Sequence, residues 1–254
     1  MTAMRDQRPQ YEPRTYRERV SGGDLVSFEV AIGETELLVR AERELREQAT
    51  RSVRRHRAAL ERYIEEHPGF LEAMEPVAPA PGAPEVVAQM CAAGAAAGVG
   101  PMAAVAGAIA QLVGRDLLEH SREVIVENGG DVFLAGARER TVAIYAGSSP
   151  FSGKLGLKVA GELLPLGVCT SSGTVGHSRS LGQADAVVVA CPDAALADAL
   201  ATALGNVVRG PEDVERALDV ARSHEEVVAA VIIAGERLGA WGKLELVPVG
   251  WADF

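Results

Sequence analysis

The stretch from Val168 to Ala190, VCTSSGTVGHSRSLGQADAVVVA, places Cys169, Thr170, Ser171, Ser172, Gly173 and His177 directly before an apolar run. Three chemistries fit such a stretch: a polar turn capped by its own hydroxyls, a nucleophile site, or a cradle for a phosphorylated ligand. No Lys-Ser/Thr pair follows the glycines, so it is not a P-loop. Ser172 lacks the G-x-S-x-G frame of a nucleophile elbow. Cys169 with His177 could form a thiol nucleophile, although a cysteine beside a strand is more often an inert packing residue. Small hydroxyls and glycines suit phosphate or ribose oxygens, because they offer hydroxyls and backbone N–H groups without bulk.

Three other places carry similar chemistry. In ENGGDV, Asn128, Gly129, Gly130 and Asp131 lie between two apolar strands. Asn-Gly is a strong hairpin signal, and paired glycines also let a ligand lie on bare backbone. In ADALAT, Asp198 and Thr202 stand one helical turn apart, roughly opposite the Leu196, Leu200, Leu204 stripe. They are hard oxygen donors that suit Mg²⁺ when carbonyls, waters or phosphates complete the shell. Spacing alone also suits a plain solvated face, on which Asp198 would have no packing role. Lys154, one of three lysines in the chain, sits in the Ser-Gly turn of PFSGKLG as a candidate anion contact.

The positioning elements follow from pattern. Strands are expected at 25–31 and 36–41 around a Gly33-Glu34 turn, then a helix from Glu42 to Tyr63 and a short one through Met74. The proline-rich 75–86 is a linker or surface loop, and is the one candidate boundary. A helix packed through small residues starts at Pro101 and runs to about Glu119. ENGGDV joins two strands, with further strands near 141–146, 155–160 and 184–190. Helices are expected over DAALADALATALGN and GPEDVERALDVARS, and a closing hairpin has its second strand at 243–249. Strands and helices mix without βαβ alternation, which points to α+β.

Composition narrows the function classes. The chain has 254 residues, 24% charged and 48% hydrophobic, which is globular composition. A formal charge of -10 offers no footprint for nucleic acid. The arginine-rich Arg40–Glu75 stretch is balanced by its glutamates and reads as solvated helix faces. Cys91, Cys169 and Cys191 lack metal-ligand spacing and suggest reduced thiols. The beginning shows no apolar signal region, so a cytoplasmic location is expected. Residues 91–113 are uncharged and long enough for a bilayer, but their alanines, glycines and Pro101 suit a tightly packed helix, and no membrane partner is expected.

Taken in order, GAIAQLVGRD (107–116), ENGGDVF (127–133), CTSSG (169–173) and ADAVVVA with ADALATALGN (184–206) resemble the ApbE superfamily of flavin transferases. GPMAAVAGAIA, AGSSPFSGKLGL and CTSSGTVGHS bring the chain closer to the UPF0280 branch of that superfamily. The likeness runs from Leu25 onward. It implies a T-fold-like α+β fold with mixed or antiparallel sheets and packed helices, in a single ApbE-like domain over 1–254 that could divide into two subdomains at 75–86. It also implies FAD or FMN with Mg²⁺, and transfer of FMN from FAD to a Ser or Thr of an acceptor protein.

Carried over by residue, the resemblance makes Asp198 and Thr202 metal ligands and Asn128, Gly129, Gly130 and Asp131 a flavin-facing turn. Thr170, Ser171, Ser172 and Gly173 match its T-S-G segment. Two departures stand out. Gln111 occupies the place of a lysine in G-I-A-K-G, and the histidine and I-D-P-x-T-G motif have no counterpart between Gly173 and Ala184. His177 is then the nearby candidate base for the acceptor hydroxyl. The alternative is a non-catalytic flavin or nucleotide carrier, with a serine hydrolase a distant third.

Overall fold

The computed structural model describes residues 20–173 and 182–250. Among them, an eight-stranded sheet carries helices on one face and a three-stranded sheet on the other. The large sheet is antiparallel throughout, in the order β1 (Val26–Ile32), β2 (Thr35–Ala41), β3 (Val124–Asn128), β4 (Asp131–Ala135), β7 (Leu166–Ser171), β8 (Ala186–Cys191), β9 (Ala229–Ala234) and β10 (Arg237–Gly242). The small one is β11 (Glu245–Pro248), β6 (Leu155–Val159) and β5 (Arg140–Ala143), also antiparallel. The α+β class with antiparallel sheets and packed helices is as expected.

Strand alternation builds both cores. Val124, Val126, Phe133, Cys169, Val187, Val189 and Ile232 face the helices. Ile125, Val132, Leu134, Val168, Val188 and Val231 face the small sheet. Central strands buried on both faces read as apolar runs instead of alternating ones. AVVVAC and AAVIIA are such runs, and every residue in them is buried.

The helix layer comprises α1 (Arg46–Glu66), the single-turn α2 (Gly69–Glu72), α3 (Glu85–Ala97), α4 (Val105–Leu117), α5 (Ala194–Val207) and α6 (Val214–Arg222). On α1 the buried set Ala49, Val53, His56, Leu60 and Tyr63 keeps helical spacing, while its arginines pair outward with Glu34, Glu61 and Asp116. The proline-rich loop lies on this layer: Ala80 and Ala83 pack against the core, and Ala80 N–H donates to the Tyr63 hydroxyl at 3.0 Å.

Four expectations change. The apolar 91–113 stretch is not one helix: α3 ends at Gly98, Pro101–Ala104 form a 3₁₀ turn, and α4 leaves with a 105° bend. No single described helix is long and apolar enough to cross a membrane. The closing hairpin pairs β9 with β10, whereas the 243–249 stretch crosses to the small sheet as β11. Strand 141–146 is shorter, at Arg140–Ala143. Finally, LGVCTS is the strand β7 and no loop, so the hydroxyl stretch begins inside the sheet. The three cysteines are buried free thiols.

Candidate functional site

Four separate stretches meet where α4 and α5 cross the ends of β3, β4 and β7. The first is the β3–β4 turn. Asn128 and Asp131 close a two-residue loop whose Gly129 and Gly130 have φ of +67° and +108°. A type I′ turn needs positive φ at both positions, which explains the glycine pair. Space around both is open, so the bare backbone faces outward. Gly130 N–H donates to Glu127 Oε1 at 2.7 Å.

Polar contacts lock this turn to its neighbours. Asn128 Nδ2 donates to the Ala106 carbonyl at 3.1 Å, just ahead of Gly107 on α4. Asp131 Oδ1 accepts the Thr170 N–H at 3.1 Å, and the Cys169 thiol also bonds this carboxylate. Cys169 Sγ also lies 3.3 Å from the Ala194 carbonyl, to which it can donate, at the start of α5.

The crossing of α4 and α5 depends on Gly107. A Cβ there would stand 2.2 Å from the Ala194 carbonyl oxygen, closer than any side chain tolerates. That approach lets Gly107 N–H donate to Asp198 Oδ2 at 2.9 Å. Four residues on, Gln111 Oε1 accepts the Ala194 N–H at 2.7 Å, satisfying an orphan donor of the helix N-terminus. Gln111 is fully buried, and its Nε2 has no hydrogen-bond partner among the described residues. Asp193 caps the same helix through the Leu196 N–H.

The expectation of a solvated face on α5 is overturned. Ala195, Ala197, Ala199, Ala201 and Thr202 are buried along with the leucines, because the helix is wedged between the sheet, α3 and α4. Part of Asp198 reaches the surface, but its carboxyl is enclosed and bonded to Gly107. It therefore has a packing role that spacing did not reveal.

Burial sets the electrostatics. Asp131 is pushed up to about 7, first by desolvation, with Glu127 adding to it and the Thr170 and Cys169 hydrogen bonds opposing. Asp198 is raised well above the ordinary carboxylate value by desolvation and by Asp131. Neither carboxylate has an ion-pair partner among the described residues. The Cys169 thiol is also pushed far up by burial and by both aspartates. It stays protonated, which removes it as a nucleophile.

Hydroxyl residues adjoin this group. Thr202 and Ser171 are buried, Thr170 and Ser172 half-buried, and Gly173 exposed with its N–H on the Ala184 carbonyl at 2.9 Å. No trio of His, Cys, Asp or Glu among the described residues forms a full metal cage. One or two carboxylates with a hydroxyl fit Mg²⁺, which keeps waters and takes its remaining ligands from phosphate.

Two candidates stand apart. Lys154 is exposed at the start of β6, and its backbone bonds go to Phe151 and Val249; no described contact brings it to the aspartates. His177 lies outside the described residues. The sequence reading missed the structural part of Gly107 and of the Ala106 carbonyl. Their one signal was the run of small residues on that helix.

A family model described as AbpE bacteria matches residues 17–234. A UPF0280 protein of Methanopyrus kandleri is 43% identical over 226 residues, covering 86% of this chain and 91% of its own. A UPF0280 protein of Methanosarcina acetivorans is 46% identical over 200 residues, with 78% and 79% covered. Among solved structures, the apo flavinyl transferase ApbE of Pseudomonas stutzeri is similar in fold at TM-score 0.58 and 16% identity, covering 85% of this chain and 94% of that one. A variant of the flavin transferase ApbE of Vibrio cholerae gives TM-score 0.58 at 14% identity, with 85% and 96% covered. With four distant stretches gathered into one polar seam on this fold, the chain belongs to the UPF0280 family of the ApbE superfamily.

Proposed function

We propose that the seam between β7 and α5 binds a flavin nucleotide, FAD or FMN, together with Mg²⁺. The observation that carries this reading is the convergence of Asp131, Asp198, Thr202 and the Thr170–Gly173 hydroxyl stretch beside an open diglycine turn. Asp198 and Thr202 would hold the cation, which when bound neutralises phosphate charge. Asp131 holds β7 against the hairpin through Thr170. Asn128, Gly129 and Gly130 would offer a backbone ledge to the flavin portion, and the stretch of Thr170, Ser171, Ser172 and Gly173 would line its phosphates, with Ser171 on the helix face of β7 and Thr170 turned with Val188 toward the small sheet. Lys154 is kept as an anion contact.

In the enzyme reading, the hydroxyl oxygen of a Ser or Thr on an acceptor protein attacks the FMN phosphorus of FAD. The P–O–P bond breaks and AMP leaves with the electron pair. The hydroxyl proton goes to a base, for which His177 is the candidate. Transferases among the structural neighbours lend this reading its support. A non-catalytic carrier is favoured by the two departures from the transferases that the chain resembles: the missing counterpart of the histidine and I-D-P-x-T-G motif between Gly173 and Ala184, and the buried Gln111 in place of a lysine.

The test is mass spectrometry of the ligand that copurifies with the native protein, followed by incubation with FAD and Mg²⁺ in a cell extract. Flavin fluorescence appearing covalently on another protein supports transfer. Bound flavin nucleotide with no labelled acceptor supports the carrier, and absence of binding to any flavin nucleotide refutes both.

A further inference from the structure

The large sheet ends in two edges that are built differently. In the β1–β2 hairpin, Ile32 pairs with Thr35 around a two-residue turn, so Ser27, Glu29 and Ala31 turn their backbone groups away from β2. Arg46 covers this edge: its guanidinium donates to the outward Glu29 carbonyl and stands over the Phe28 ring.

The other edge is β10. Arg237 pairs with Ala234 around the two-residue Gly235-Glu236 turn, and past the far end Lys243 N–H donates to the Val228 carbonyl at 2.8 Å. The odd-numbered residues therefore bond to β9, while Leu238, Ala240 and Gly242 point their N–H and C=O groups outward. Ile233, opposite Leu238, agrees with this phase, because its carbonyl accepts the Asp185 N–H on the β8 side. The outward groups have no hydrogen-bond partner among the described residues, and the exposed Arg237 has no ion-pair partner there. Between its ends β10 carries no charge, proline or bulge, the usual guards of an edge strand.

We propose that β10 pairs with β10 of a second copy of this chain, antiparallel about a twofold axis at Gly239, and joins the two large sheets edge to edge. A second copy suits this edge because the strand is complementary to itself under twofold symmetry. Charge selects the register. Centred on Ala240, the pairing would set Arg237 against the partner's Lys243, twice over. Centred on Trp241, it would leave Arg237 beyond the end of the facing strand. Centred on Gly239, it sets Arg237 across from the partner's Trp241, whose half-buried indole lies on the same sheet face. A guanidinium beside an indole is a favourable cation–π pair. Leu238 then faces the partner's Ala240, and the outward N–H and C=O groups of both satisfy each other.

Sedimentation equilibrium of the full chain over a concentration series tests the pairing, with each variant melted to show that it is folded. The parent should approach twice the monomer mass. Ala240→Pro removes an outward N–H that β9 does not use, and Ala240→Lys sets a charge against the partner's Leu238. Both should stay monomeric where the parent is a dimer. Ala240 is exposed, so the lysine variant keeps the fold even where proline strains the strand. Arg237→Ala should raise the dissociation constant about tenfold, since each dimer holds the cation–π pair twice. An unchanged or tighter Arg237→Ala dimer overturns the register centred on Gly239. A parent that stays monomeric throughout, or a dimer that folded Ala240→Lys leaves intact, overturns the proposal.

Discussion

Replacing Asp131 by Asn should change how stability depends on pH, and the size of the change follows from its burial. Folding moves this carboxyl from an ordinary 3.8 up to about 7, chiefly by desolvation. Between those values the folded protein keeps a proton that the unfolded chain has released. Stability therefore falls as pH rises through this window and levels off above it. About three units at ~1.4 kcal/mol each gives ~4 kcal/mol lost between pH 4 and pH 7. Asp198, also raised, acts in the same direction. Asparagine has no proton to lose, and its amide oxygen can still accept the Thr170 N–H. In EDTA, to keep cations away, Asp131→Asn should outlast the parent at pH 8 by on the order of 10 °C, with little advantage near pH 4. Thermal melts of both proteins from pH 4 to 8 provide the assay. A parent equally stable at pH 5 and pH 8, or a variant that loses stability as steeply, would refute the burial argument.

Three further outcomes follow. Gly107→Ala forces a methyl to 2.2 Å from the Ala194 carbonyl oxygen, so α4 and α5 must part; a loss of about 3 kcal/mol in chemical denaturation is expected, and a loss under ~0.5 kcal/mol would show that the crossing is loose. Lys154→Ala, at an exposed position, should leave the melting temperature unchanged and weaken FAD binding in calorimetry; unchanged affinity removes Lys154 from the site. If transfer activity is found, His177→Gln should keep FAD affinity and slow transfer by about 10²-fold or more, and equal rates would exclude it as the base.

Much of the frame was legible because local physics dictates it. The Asn128–Asp131 turn was readable, since only glycines adopt its two positive φ values without strain. The β1–β2 hairpin and the AVVVAC strand declared themselves by alternation and by an apolar run. Strand β7 did not, because LGVCTS owes its place to pairing with β4 and β8 more than to its own apolar content. The start of a helix at Pro101 was legible from its proline, whereas the 105° bend between α3 and α4 was not, because the alanine-rich stretch has little apolar contrast across Gly98–Gly100. The largest misreading concerned α5. Helical spacing set Asp198 opposite the leucines, but no local pattern shows that α3, α4 and the sheet enclose a helix on nearly every side. The meeting of Asp131 with Thr170 is likewise long-range, and only the strand order supplies it.

The central claim is that Asp198 takes part in cation-dependent binding of a flavin nucleotide. Isothermal titration of FAD into parent and Asp198→Asn, each with MgCl₂ and with EDTA, tests it most directly. Asparagine is the better substitution than alanine, because its amide oxygen can still accept the Gly107 N–H and so preserve the crossing of α4 and α5. The account predicts that the parent binds FAD with Mg²⁺ and loses it in EDTA, whereas folded Asp198→Asn binds weakly in both. Equal FAD affinity in all four titrations would contradict it.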